Sequence, residues 1–319
     1  MQVSRSAIIE GMPGVRSKLN AVRVLRAQPF ERQGWLAHGF STRTGGVSQA
    51  FGGGGKRKGG DLNLGFTKED TRAAVERNRG RFLLALGAPG GSRPWQLVTL
   101  KQVHSDAIHR IEKVRGPKAG LTGDGLVTDL PGVLLAIQTA DCLPVLLADP
   151  EHHAVGAFHA GWRGTLARIV EKGVGRMRKE FGSDPAKLLA AIGPGVGACC
   201  YAVGSEVREK FESQFAYAAE LFEEVYDANA VHNRYPLLFL TARAPGHSET
   251  IGPELHLDLA KANRRQLAEA GVPAASVADL GRCTACDPRL LFSYRAELGR
   301  TGRLMGAIGV RRQPARAKR

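Results

Sequence analysis

From Gln96 to His159 the chain is a succession of short apolar runs broken by turn residues, and no other stretch constrains the fold so tightly. Val98–Leu100, Ala107–Ile111, Gly125–Thr128, Val133–Gln138, Leu143–Leu147 and Val155–His159 are bounded by turn residues and read as strands. Thr165 to Phe181 then places Leu166, Ile169, Val170, Val174, Met177 and Phe181 on one face of an amphipathic helix that Gly182 ends. Helices over about 71–86 (capped by Asp70 or Thr71), near 205–225 and near 258–270, with strands at Leu188–Ile192 and Leu304–Val310, complete a mixed α/β domain.

A chain of 319 residues with 43% hydrophobic content can bury a substantial core, which excludes intrinsic disorder as the main state. The longest apolar run, Gly132–Ala148, is interrupted by Gln138, Thr139 and Asp141, short of the roughly 18 apolar residues of a membrane helix. The first 26 residues are basic but carry no apolar core of the kind a secretory signal needs. Five cysteines, an odd number that includes the adjacent pair Cys199 and Cys200, do not form a disulfide framework, so a reducing, cytoplasmic compartment is expected.

The formal charge of +15 would suggest a polyanion partner if it covered a folded face. It does not: residues 1–26 carry +4, Lys56-Arg57-Lys58 +3 and the tail from Arg311 +5, leaving about +3 on the body. Solvated termini and a loop account for this distribution, with a weak polyanion contact as the alternative; no specific nucleic acid and no membrane is expected as a partner. Gly52–Gly60, GGGGKRKGG, reads as a loop. With no internal repeat or composition shift to mark a second domain, the expected organisation is a basic extension over 1–28, one catalytic domain over 29–312 and a basic tail over 313–319.

Three residues at strand ends can carry chemistry: His104 in LKQVH, Cys142 in TADCLP and His159 in AFHAGWRG. Their separations are too long for a zinc finger, so any site would assemble from strand ends that the fold brings together. Each also has a plain structural reading, a buried small hydrophobe for the cysteine and a hydrogen-bonding core residue for either histidine. Asp141 beside Cys142 puts a carboxylate between apolar runs, which implies a buried or cleft partner. The turn from His159 to Thr165 offers Arg163, backbone N–H groups and a capping Thr165 to an anion; an ordinary strand-to-helix turn is the alternative. Cys283-Thr284-Ala285-Cys286 is a CxxC, but the chain has no second one and the spacing of Cys199-Cys200 is wrong, so no zinc or redox role is expected there. Gly193-Pro-Gly-Val-Gly197 lacks the ending of a P-loop.

Taken in order, HGFSTRTGGVS (38–48), LNLG (62–65), LKQVHS (100–105), DGLVTDLPGVLLAIQTADCLPVLLAD (124–149), AFHAGWRGT (157–165), AIGPGVGACCYAVGSEV (191–207) and LFSYRAELGRTGR (291–303) resemble the YfiH-like family over roughly residues 35–312. That family is known variously as laccase-domain polyphenol oxidase, purine nucleoside phosphorylase and peptidoglycan editing factor. The resemblance implies a mixed-sheet α/β sandwich similar to the catalytic domain of cytotoxic necrotising factor. It also implies a catalytic metal on His104, Cys142 and His159, with Zn2+ expected and Cu2+ the alternative. The GGGGKRKGG insertion before LNLG and Arg295-Ala296-Glu297-Leu298 in place of the more usual Arg-Arg-Asp-Gly are departures, and both lie away from the trio.

A His/Cys/His site with an open position suits zinc chemistry. The leading expectation is phosphorolysis of a purine nucleoside (adenosine, inosine, guanosine or methylthioadenosine), with phosphate held by Arg43, Arg163 or Thr165 and Asp141 as candidate acid. Adenosine deamination is a related possibility, although the H-x-E and P-C-x-x-C signature is absent. A multicopper laccase needs about ten histidines, often as His-x-His, against nine histidines and no His-x-His here; one copper on the trio leaves polyphenol oxidation as an alternative. In a third reading Cys142 is a thiolate nucleophile with His159 as base, hydrolysing an amide such as one in a peptidoglycan precursor. Nucleoside and phosphate are the expected partners of a monomer or homodimer.

Overall fold

The computed structural model describes residues 21–51, 59–88, 94–113, 120–225 and 254–312. Two mixed sheets lie face to face. The first has the order β1 (Val24–Leu25), β2 (Leu36–Ser41), β14 (Leu304–Val310), β6 (Val133–Thr139) and β3 (Gln96–Val98), antiparallel except where β3 runs parallel to β6. The second has the order β13 (Val277–Asp279), β9 (Leu189–Ile192), β7 (Leu143–Asp149), β8 (Ala154–Ala160), β5 (Gly125–Thr128) and β4 (Ile108–Arg110), with parallel pairs at both edges. A small third sheet orders β10 (Ala202–Val203), β12 (Glu254–Leu257) and β11 (Phe222–Val225).

The runs that read as strands are continuously apolar because both faces of these sheets are covered. Along β7, Leu146 and Ala148 point between the sheets toward Phe40, Leu135 and Ile308, while Val145 and Leu147 point outward. Their outward neighbours are Val170, Val174 and Met177 of α4 (Ile169–Phe181) and Ala262 and Leu267 of α6 (Leu259–Glu269). The first sheet does the same on its other side: Leu134 and Ala136 of β6 meet Phe82 and Leu86, at the end of α2 (Arg72–Ala85). The result is a four-layer α/β/β/α sandwich, with its period-2 alternation serving two cores at once.

The helix expected over 165–181 is two helices. After α3 (Trp162–Leu166) the chain turns at Arg168, which adopts φ 60°, and restarts as α4 at Ile169. The expected helix over 205–225 stops early: α5 spans Ser205–Glu212, a 3₁₀ turn covers Ala218–Leu221, and Phe222 begins β11. Val207, Phe211, Phe215, Ala218 and Leu221 all enter one core, and their steps of three and four residues suit a 3₁₀ turn as well as an α-helix. Thr71 caps α2 and Asp258 caps α6 as expected, each side chain accepting a backbone N–H. Val24 and Leu25 pair with Ser41 and Phe40, and the Arg26 guanidinium donates to the His38 and Ala85 carbonyls, so this part of the basic N-terminal stretch belongs to the sandwich. Most of GGGGKRKGG, residues 1–20 and the tail from 313 lie outside the described residues; the insertion's flanks are bridged, Gly46 to Gly60 and Ser48 to Asp61. Among the described residues no helix is long and apolar enough to cross a membrane.

Candidate metal centre and active site

The antiparallel ladder of β7 and β8 pairs Leu143 with Ala160 and Pro144 with His159, so Cys142, one residue before β7, arrives beside the end of β8. The third member comes from the loop before β4, where His104 adopts φ 61°. One ligand atom from each of His104, Cys142 and His159 lies within 4.8 Å of the others. His104 Nε2 is 3.8 Å from Cys142 Sγ, and the two imidazoles meet edge to face at 4.8 Å between centroids. His159 is buried and His104 exposed, so the cluster is anchored on one side and open to solvent on the other.

Asp124 organises this arrangement. Its carboxylate accepts His159 Nδ1–H at 2.8 Å, the backbone N–H groups of Val103, His104 and Ser105, and the Ser105 hydroxyl at 2.8 Å. One carboxylate thereby fixes the tautomer of His159, leaving Nε2 for the cluster, and fixes the left-handed loop that presents His104. Burial alone would raise the Asp124 pKa, yet the bonds from His159 and Ser105 hold it well below the ordinary range. Burial likewise opposes ionisation of Cys142, but hydrogen bonds from His104 and His159 pull its thiol down to about 6. His159 is lifted to about 9 against its burial by Asp124 and by Cys142.

The residues fit a metal ion. A buried imidazole oriented by a carboxylate, a readily ionised thiol and a solvent-facing imidazole form the donor set of an open zinc site. Gly161 keeps the space clear, since a Cβ there would stand 2.7 Å from Cys142 Sγ and 3.2 Å from His104.

The other expected site residues divide. Arg163 is exposed at the start of α3 with its guanidinium 4.2 Å from the Trp162 ring. Asp141, in a left-handed conformation at φ 92°, is held by the fold: its carboxylate accepts the Thr284 hydroxyl at 2.6 Å and the Arg295 backbone N–H at 2.7 Å, and its carbonyl accepts Val196 N–H. Thr165 does not cap a helix. It is buried inside α3, where Gly161 is the N-cap, and its hydroxyl accepts a hydrogen bond from Asn263. Arg43 is turned inward, its five N–H donors shared among both carboxylate oxygens of Asp61, Glu297 and the carbonyls of Phe51 and Pro288. A guanidinium so enclosed ties the HGFSTRTGG segment to the 288–297 loop and has no donor left for phosphate.

Sequence reasoning did not single out Asp124, Ser105, Tyr201 or Arg295. Asp124-Gly125 looks like an ordinary turn before a strand, yet a carboxylate opening an apolar strand is the same signal that drew attention to Asp141. Arg295 covers the half-buried Tyr201 ring at 5.1 Å. Burial pushes the Tyr201 phenol up to about 12; negative charge at Cys142 and Asp141 adds to this, while Arg295 and Arg163 oppose it. These five groups therefore share one electrostatic neighbourhood beside the cluster.

Several known proteins are similar to this chain. A purine nucleoside phosphorylase of Deinococcus radiodurans is 39% identical over 280 residues, spanning 87% of this chain and 90% of its own. The purine nucleoside phosphorylase YlmD of Geobacillus stearothermophilus is 35% identical over 89% of this chain and 97% of its own. Its crystal structure superposes with a TM-score of 0.70 over 93% of this chain and 98% of that one; the Bacillus licheniformis protein YfiH, 29% identical, gives 0.72 over the same shares. Residues 37–311 match the family model described as multi-copper polyphenol oxidoreductase laccase. With that match over most of its length, and with these relatives sharing its fold, the chain belongs to the YfiH-like family of multi-copper polyphenol oxidoreductase laccases.

Proposed function

We propose that the chain is a purine nucleoside phosphorylase that binds Zn2+ through His104, Cys142 and His159. The observation that carries this reading is the Asp124-oriented His/Cys/His cluster, open on its His104 side, in a chain 39% identical to a phosphorylase. A zinc ion there supplies Lewis-acid polarisation of a substrate atom. The protein's own contribution is positioning. Arg163 and Arg295, exposed beside Tyr201, hold phosphate; they replace Arg43 and Thr165, whose polar groups are engaged within the fold. Tyr201 keeps its phenolic proton at neutral pH and offers it as a hydrogen-bond donor to the departing base, a role for which the Asp141 carboxylate is not free. A phosphate oxygen of HPO4(2−) bonds to C1′ as the C1′–N9 bond breaks; the electron pair leaves with the purine, which takes up the proton that phosphate gives up, and ribose 1-phosphate remains.

We propose deamination of adenosine as a second reaction of the same cluster. A different reading rests on one observation: in metal-free protein Cys142, His159 and Asp124 form a thiolate–imidazolium–carboxylate series, the arrangement of a Cys/His amidase. Among the described residues the potential metal clusters contain only two histidines, which gives a multicopper oxidase centre no support. Chromatography of adenosine incubated with zinc-loaded protein, with and without phosphate and beside Cys142→Ala, tests the proposal. Phosphate-dependent adenine and ribose 1-phosphate that vanish in the variant and on chelation are expected; adenosine left intact, with hydrolysis of an amide substrate that survives chelation but not alkylation of Cys142, supports the amidase instead.

A further inference from the structure

The CxxC that lacked a partner in the sequence finds one in space. Cys199 and Cys200 lie in a 3₁₀ turn, Ala198–Cys200, after β9, and Cys283 and Cys286 lie in the loop after β13. Because β13 pairs parallel with β9, the two loops leave the same end of the sheet side by side, and a bridge from Gly195 to Cys283 continues the pairing past the strands. Four sulfurs thereby converge, all within 4.8 Å of one another, with Cys286 Sγ 3.5 Å from that of Cys199 and 3.4 Å from that of Cys200.

Those separations suit one ion. Four thiolates about 2.3 Å from a tetrahedral zinc stand about 3.8 Å apart, and a tetrahedral S₄ donor set selects zinc or iron. The loop is also built to carry negative sulfur: Gly197 N–H donates to Cys283 Sγ at 3.2 Å, and a Cβ on Gly197 would crowd Cys199 Sγ at 3.2 Å and Cys283 Cβ at 3.3 Å. Cys199 and Cys286 are exposed, which gives an ion a route in from solvent.

The cluster is joined mechanically to the active-site loop. Thr284, between the two cysteines of the CxxC, donates its hydroxyl to Asp141 and its backbone N–H to Gly195, while Val196 N–H reaches the Asp141 carbonyl. Asp141 is held in its left-handed conformation by these contacts, and the next residue is Cys142.

We propose that Cys199, Cys200, Cys283 and Cys286 bind a single Zn2+ as a tetrathiolate, and that this second ion fixes the loop carrying Asp141 and Cys142. Each thiol that coordinates loses its proton to solvent, and no electron is transferred.

The full-length protein, stripped under reducing conditions, reloaded with Zn2+ and freed of excess ion, is assayed for bound zinc. About two Zn2+ per chain are expected for the unmodified protein and about one for Cys142→Ser; Co2+ loaded into Cys142→Ser should give the intense visible and near-ultraviolet bands of a tetrathiolate. Cys286→Ser should lose the site that Cys142→Ser retains. If Cys286→Ser does not fold, thiol alkylation of the unmodified protein decides: Zn2+ should protect all four cysteines together. A Cys142→Ser protein that holds neither zinc nor cobalt, or four thiols that stay reactive in Zn2+, would overturn the proposal. The inference does not depend on the phosphorylase reading, because nucleoside turnover reports on Cys142 and retained zinc in its absence reports on the tetrathiolate.

Discussion

The molecule has two cysteine-containing clusters at neighbouring loops, and they treat Cys142 and the Cys199-Cys200 pair in opposite ways. Cys142 sits against two imidazoles, one of them backed by Asp124, and its thiol falls to about 6. Cys199 sits against three other thiols, and burial together with Cys286 and Cys283 pushes it up to about 11, against a smaller opposing pull from Cys200. The same functional group is a ready thiolate in one place and a reluctant one in the other, and the difference lies in the neighbours. Mixed ligation with an open side suits a reacting centre, and uniform thiolate ligation suits a fastening.

The largest expected effect that sharpens this contrast is at Asp124. Asp124→Asn cannot keep both the His159 tautomer and the loop of His104, so zinc affinity at the trio should fall about 10- to 100-fold, with turnover falling alongside. Competition with a chromophoric chelator measures this, and the ion on the four cysteines should be unaffected; equal losses at both sites would mean that Asp124 acts on the whole fold. Next in size is thiol reactivity in metal-free protein. A lowered pKa means that Cys142 is alkylated progressively faster as pH rises through about 6 and levels off above it, while Cys199 and Cys200 remain slow through neutral pH. At pH 7 mass spectrometry should find Cys142 modified about tenfold faster or more. Similar rates would erase the contrast. The smallest effect is at the link between the clusters: Thr284→Val removes one hydrogen bond to Asp141, worth about 1 kcal/mol. Turnover should drop several-fold while both ions stay bound, because the Cys142 loop loosens; unchanged turnover would mean that the two sites share a fold but no coupling.

Much of the sandwich was legible in the sequence for a simple reason. Strands covered on both faces are uninterrupted apolar runs, so β5 to β8 stand out within one or two residues of their observed ends. Short strands such as β12, with four residues, and β13, with three, leave no such trace. The trio was legible because its residues interrupt or end those runs, and because the surrounding motifs resemble a family. Partners distant in sequence were not: Arg43 meets Asp61 eighteen residues on and Glu297 at 254, and nothing local marks it as enclosed. The cysteines failed for the same reason, since Cys199-Cys200 has no metal-binding spacing until β13 lies parallel to β9. Helix breaks escaped because the left-handed turn at Arg168 keeps the apolar face in phase across the interruption.

The β7–β8 ladder sets Cys142 beside the end of β8 by backbone hydrogen bonds, and the Asp124 carboxylate sets His104. The first site is thus a rigid socket whose shape exists before anything enters it, so the affinity for an ion need not be drawn down by ordering the chain. A metal ion held in a socket of this kind would be able to leave or be replaced without the chain unfolding.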